Sequence, residues 1–342
     1  MKSAFAVLAV TALSTAQLST ARADVVELRL ATLAPGGSKW MQAFEKGAAE
    51  TAKATEKRVS VIYYPGGEQG DERDFISKIK LGQLDGAAVT AVGLSMIDES
   101  IRVLELPMMF ESIEEVDYVA DKVWPYFQKK FEDKGFRLEA RGEVGWVHFM
   151  SKAEVKSLAD LRKQKLWIWG DDRLVGAMFK KLNISGVALG VPEVDPALTT
   201  GRIDACYGSP LAAVALQWHT KIRYMTSLRM SYAIGATVIS LQALKKLTPA
   251  DSKSVFKVAG AIGKKLRVSI RKENESAQRT MTRKGVTISA TPEVMSAEFN
   301  KHAQELWKSL VGKMYTQAEL DMVLAARAEY RKAKPAAVAP TP

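Results

Sequence analysis

The chain has 342 residues, 47% apolar and 25% charged, which suits two ordinary globular domains and excludes a disordered, collagenous or disulfide-stapled polypeptide. The single cysteine, Cys206, permits no internal bridge, and His148, His219 and His302 have no near neighbour among them to start a zinc site. With 49 basic against 38 acidic residues the net charge is +11, which raises nucleic acid or an anionic membrane surface as a partner.

The N-terminus weakens the first of these. Met1-Lys2, an apolar run from Ala4 to Leu13 and Ala21-Arg22-Ala23 form the pattern of a secretory signal peptide cleaved after Ala23. The run is too short to cross a hydrocarbon core, which takes about 20 residues. Residues 24–342 are therefore expected to be periplasmic, away from nucleic acid, and a transport role would need a separate membrane partner.

Leu28 to Leu33 reads as a strand, Ser38 caps a helix reaching about Lys57, and Arg58 to Tyr64 is a second strand. Asp71 caps the next helix, Gly82 stops it, and Leu84 to Val89 is a third strand. This order predicts an α/β fold with a parallel sheet covered by helices. The phrase Ile79 to Ala87 returns at Leu198 to Cys206, each a glycine stop followed by an aspartate-bearing strand, so two lobes of similar architecture are expected. Lys165 to Trp169 is a strand of the second lobe, Asp171 and Asp172 cap a helix from Arg173, and Pro210 opens another helix. From Thr248 a helical period runs to about Lys284 and is expected to kink near Gly260 or Gly263. Thr291-Pro292-Glu293 and Thr316 to Glu319 start two more helices. Residues 333–342, rich in proline, read as a frayed tail.

No nucleophile elbow, phosphate loop, zinc-protease or calcium-loop motif occurs. Cys206 reads as a core thiol and His148 as a hydrogen-bonded structural histidine. Aromatic residues, by contrast, gather at strand exits, where open parallel sheets bind ligands. Alternation puts Trp167 and Trp169 on one face. Trp146 and Phe149 lie near the expected crossing between lobes, Tyr207 and Gly208 follow the repeated strand, and Trp40 begins the first helix. Each could be a core residue; together they point to an aromatic-lined cleft.

Six segments in register carry a resemblance: Ala31 to Pro35, Tyr64 to Gly70, Leu81 to Gly86, Leu106 to Phe110, Val155 to Leu161, and Leu198 to Asp204. The chain resembles the solute-binding subunits of tripartite ATP-independent periplasmic (TRAP) transporters over essentially its whole mature length. The resemblance implies a two-lobed, type II-like periplasmic-binding-protein fold that closes on a small ligand and delivers it to membrane permease subunits, without catalysis or a cofactor. Lobe I would comprise residues 24–147 and about 233–285, and lobe II about 148–232 and 286–332, with a long C-terminal helix region. In the family an arginine that clamps the ligand carboxylate stands where this chain has Trp167. Two ligand readings follow. The preferred one is an apolar or aromatic ligand stacked by Trp167, Tyr207 and Trp146 or Trp169, with Thr90 among the contacts. The other is an anion held by a displaced cation, Lys152 or Arg173.

The competing functions are a secreted enzyme on the same scaffold, for which Glu143 with Asp171 is the one nominated acid–base pair, and a protein that presents its ligand to a sensor. Residues 241–342 hold 19 basic and 9 acidic groups, whereas residues 24–240 are nearly neutral. The basic excess thus belongs to the C-terminal region, where peripheral contact with a membrane partner or lipid is the sharper reading and a solvated face the blander one.

Overall fold

The computed structural model describes residues 25–170 and 172–333; the expected signal peptide and cleavage site, Asp171 and the tail beyond 333 lie outside the described residues. The first half begins β1 (Val26–Thr32), α1 (Lys39–Ala54), β2 (Val59–Tyr64), α2 (Glu72–Lys80), β3 (Gly86–Thr90) and α3 (Ala91–Ser95), followed by a 3-10 segment (Glu99–Glu105) and α4 (Ile113–Asp133). The first two expected caps are in place. Ser38 accepts from the Met41 amide at 3.3 Å, and Asp71 forms a reciprocal capping box with Asp74.

A long strand, β4 (Phe136–Ser151), then leads to α5 (Leu158–Arg162), β5 (Leu166–Trp169), α6 (Arg173–Lys181), β6 (Gly186–Leu189), α7 (Val194–Thr200), β7 (Ala205–Gly208) and α8 (Pro210–Ala215). The chain continues through β8 (Tyr224–Thr226), β9 (Ser231–Ser240), α9 (Leu241–Leu244), α10 (Pro249–Arg283), β10 (Thr287–Ser289), α11 (Glu293–Ser309) and α12 (Gln317–Ala333).

The expected parallel sheets are embedded in a mixed one. Strands β2-β1-β3 and β7-β5-β6 are parallel groups, but antiparallel β9 and β4 join them in the order β2-β1-β3-β9-β4-β7-β5-β6. A strand of 16 residues spans about 50 Å, long enough for β4 to pair with β9 up to Val147 and with β7 from His148. Just before that change of partner the register slips at Gly145, whose φ of 116° is open to glycine and strained for other residues. A side chain there would also collide with Asn274, whose amide donates to the Val144 carbonyl at 3.0 Å and accepts from the Leu211 amide at 3.1 Å. Asn274 thus ties the crossing to α10 and α8.

The internal repeat has a structural meaning. Gly82 and Gly201 both turn the chain at φ 73°. Asp85 then exchanges hydrogen bonds with Arg29, its carboxylate taking the Arg29 amide at 2.9 Å, and Asp204 does the same with the Lys165 amide at 2.6 Å. Each aspartate pins the start of one parallel strand to its neighbour, at the end of the sheet remote from the strand exits.

Three expectations change. Helix α10 carries through Gly260 and Gly263 as one 35-residue helix, because it packs against α1, β4 and α8 along its length. Helix α11 starts at Glu293 with no side-chain cap, since Thr291 is engaged by Ser227 and the Leu228 amide. Helix α12, expected with the second lobe, packs on α4 and the 3-10 segment of the first half.

His148 is buried with Nδ1 at 2.9 Å from the Thr226 carbonyl, and burial pushes its imidazole down to about 4. Its folded value lies below that of an unfolded histidine, so the stability it contributes is present above about pH 6.5 and lost as pH falls through about 4. Chemical denaturation between pH 7.5 and 4.5 should show His148→Gln losing up to about 3 kcal/mol less than the parent chain. Equal losses would show that the imidazole is already solvated.

Candidate functional site

The exits of β1, β3, β5 and β7 face one another across a cavity of about 290 Å³. Trp40, Thr90, Trp167, Trp169, Tyr207 and Gly208 all line it. Trp167 is the centre of an aromatic cluster. Its ring stacks on Tyr207 at 4.8 Å, lies 6.2 Å from Trp169 and meets Trp218 edge-on at 5.3 Å. Its indole N–H donates to the Leu189 carbonyl at 3.0 Å, and the Tyr207 hydroxyl accepts from the Trp169 amide at 3.2 Å, so both polar ends are satisfied.

Trp40 anchors its indole to the Glu143 carbonyl at 3.2 Å. Thr90 caps α3 and turns its hydroxyl to Glu72 at 2.9 Å. Glu72 also accepts the Thr90 and Gly93 amides; burial nevertheless pushes its carboxyl up to about 8. Sequence reasoning missed this acid, although it stands in the first turn of α2 immediately after the capping aspartate.

Three expected contacts are elsewhere. Phe149 shares its sheet face with Tyr207, its partner on β7, but its ring is buried against Phe179 and Phe299 and does not line the cavity. Trp146 packs edge-on against Tyr232 with the Arg229 guanidinium over its ring. Lys152, past the end of β4, donates its ammonium to the Leu198 carbonyl at 2.6 Å. The other displaced cation, Arg173, is exposed and pairs with Glu99 at 2.6 Å. Glu143 does not offer a free base either: Arg271 and Tyr232 hold its carboxylate, at 2.9 and 2.7 Å. Asp171 lies outside the described residues. Cys206 is fully buried, which pushes its thiol up to about 12.

The cation that does line the cavity is Arg102, which is buried. Its Nη2 reaches both oxygens of Asp172 at 3.0 Å and Glu105 at 3.4 Å, while its Nε has no partner. Burial, opposed by Arg102, pushes the Glu105 carboxyl up to about 7. The local signal was the i, i+3 spacing of Arg102 and Glu105, which puts them on one face of a helical turn. Nothing local said that this turn would meet Asp172, the cap of α6, from the other half of the molecule. A second bridge joins the halves: the Asp71 carboxylate accepts the Trp169 indole at 3.0 Å and the Val191 amide at 2.9 Å. Polar contacts between the two halves therefore bridge them beside the cavity, which has an aromatic floor and one paired arginine among its described lining residues.

Among the described residues, no group of three or more potential metal ligands occurs, and no helix is long and apolar enough to cross a membrane. The sequence model for "Bacterial extracellular solute-binding protein, family 7" (DctP) matches residues 30–314. The Salmonella typhimurium protein named "Uncharacterized protein YiiZ" is 26% identical over 206 residues, which cover 58% of this chain and 61% of that protein. A TRAP periplasmic solute binding protein of Xanthobacter autotrophicus Py2, with bound β-D-galacturonate, superposes with a TM-score of 0.82 at 22% identity, covering 88% of this chain and 99% of that one. The sugar acid binding protein DctPAm of Advenella mimigardefordensis, in complex with galactonate, gives 0.84 at 18% identity over 90% and 99%. The two-lobed α/β fold is therefore shared with these proteins, and the chain belongs to bacterial extracellular solute-binding protein family 7, the family of TRAP-type solute-binding proteins that its six segments resemble.

Proposed function

We propose that the chain is exported, loses its leader after Ala23, and captures a small solute with an apolar or aromatic body, which it hands to TRAP-type membrane permease subunits. The observation that carries this reading is the stack of Trp167, Tyr207 and Trp169 in a cavity whose arginine is already neutralised by Asp172 and Glu105. The two lobes are residues 24–147 with 233–285 and residues 148–232 with 286–316, and α12 moves with the first. Closure follows from differential contact: a solute touching both lobes stabilises the closed form over the open one, and only that difference shifts the population. The engaged state of Glu143 supports binding without catalysis.

One observation favours a second reading. The unpartnered Nε of Arg102 could hold an anion, as the galacturonate and galactonate of the two solved relatives would require, if Asp172 swung away. Native mass spectrometry of the purified protein, followed by calorimetry with the solute it retains, separates the two. The expected solute carries an apolar or aromatic body, and its affinity changes little between 50 and 500 mM salt. Tight, salt-sensitive binding of succinate or galacturonate would replace the first reading with the second.

A further inference from the structure

We infer that the cavity extends beyond the aromatic stack into a second chamber, beneath α1 and α10, that takes the alkyl or isoprenoid tail of an elongated solute. This rests on the reading of an apolar-bodied solute and adds the shape of that body. The cavity does not end at the strand exits. Its lining continues along the face of the first-half sheet and along the helices that cover it, from Thr32 and Thr90 to Leu30, Val61 and Ile262.

Small residues make the room. Gly47 and Ala48 on α1, Ala88 on β3, Gly235 on β9, and Ala259 and Gly263 on α10 all line this stretch. Gly235 is required by packing, since a side chain there would meet the Val89 carbonyl at 2.7 Å. Gly47 is not. A methyl group at Gly47 would sit at an ordinary 3.5 Å from Ile262, and glycine inside a helix costs about 0.5–1 kcal/mol relative to alanine. Its smallness answers no steric or conformational need of the fold.

The packing around the chamber is divided accordingly. The buried residues on this side form two separate clusters, one around Leu28, Leu30 and Val255 and the other around Leu211, Leu266 and Ile270. Acids that border the chamber are already held: Glu139 by Arg137 at 3.1 Å and Glu143 by Arg271 at 2.9 Å. The chamber therefore offers an incoming group apolar contact and no free charge, whereas the cleft end offers the aromatic faces of Trp167 and Tyr207. A solute with a polar or aromatic head and a flexible apolar tail matches both ends.

A homologous series of 4-alkylphenols, ethyl to octyl, titrated calorimetrically into the full mature chain tests this. The dissociation constant should fall up to about fourfold per added methylene and level off when the chamber is full. Ala259→Phe and Ala48→Leu, which plug the chamber from opposite walls, should flatten the series while leaving 4-ethylphenol binding unchanged; thermal melts identify which variants are folded. If 4-ethylphenol binds and longer chains gain nothing, or if both folded plugs keep the slope, the chamber is overturned and the cleft reading stands. If no alkylphenol binds, the apolar-solute reading falls and the chamber with it.

Discussion

Arg102→Met should lower the unfolding free energy by about 3–5 kcal/mol at pH 8, because it leaves Asp172 and Glu105 in a buried site with no counter-charge. The loss should shrink towards pH 5. Glu105 already binds its proton at about 7 in the intact protein, above the ordinary glutamate value, so the stability linked to it is present at low pH and declines as pH rises through that value. Removing the guanidinium moves its proton affinity further up, which lets the variant recover by protonation. Arg102→Met combined with Asp172→Leu should restore most of the loss, since an apolar replacement of a buried pair is often neutral or better. Because Arg102 and Asp172 belong to opposite halves, the single variant should also be more open in small-angle scattering. Denaturant titrations at pH 8 and 5 check the energetic claim: a deficit below about 1 kcal/mol at both would mean a solvent-screened pair.

Trp167→Ala is expected to cost about 3–5 kcal/mol of stability, the usual range for emptying a buried tryptophan site. Solute affinity should fall further than this general weakening explains. The variant loses the ring that stacks on Tyr207 and frees the Leu189 carbonyl, so the aromatic floor loses its centre. Trp167→Phe separates the two effects. It keeps a stacking face, loses the indole donor, and should retain solute binding at a smaller cost in stability. Equal affinity in the parent and the folded alanine variant would show that Trp167 is packing alone and would move the binding surface away from the stack.

The fold was legible where local chemistry decides it. Ser38, Asp71 and Thr316 cap helices because each side chain answers a nearby backbone amide, and the Gly82 and Gly201 stops reflect one backbone conformation. Trp167 and Trp169 were legible because alternation on one strand is a short-range rule. Phe149 was not, because alternation gives the face and not how far along it the cavity reaches: it shares its face with the lining residues Val147 and Tyr207 but is packed against Phe179 and Phe299. The antiparallel centre of the sheet was also hidden, since β9 arrives from far along the chain to part the two parallel groups. Lys152 and Arg102 fail in opposite ways. The lysine stands near the right strand but reaches a carbonyl behind it, and the arginine stands far away in sequence and is carried in by a contact between halves.

The continuity of β4 has a mechanical consequence. A protein built from two separate sheets can part along a seam that no backbone hydrogen bond crosses, and its opening is then limited mainly by its linkers. Here one strand belongs to both sheets, and the change of partner falls beside Gly145, where the ladder is already irregular. Flexure at that point can swing the halves without unzipping a regular pair on either side. An opening of the halves would therefore be a small bend in an unbroken ribbon, steered by Asn274 and the rod of α10, with the strand pairing kept in register on both sides.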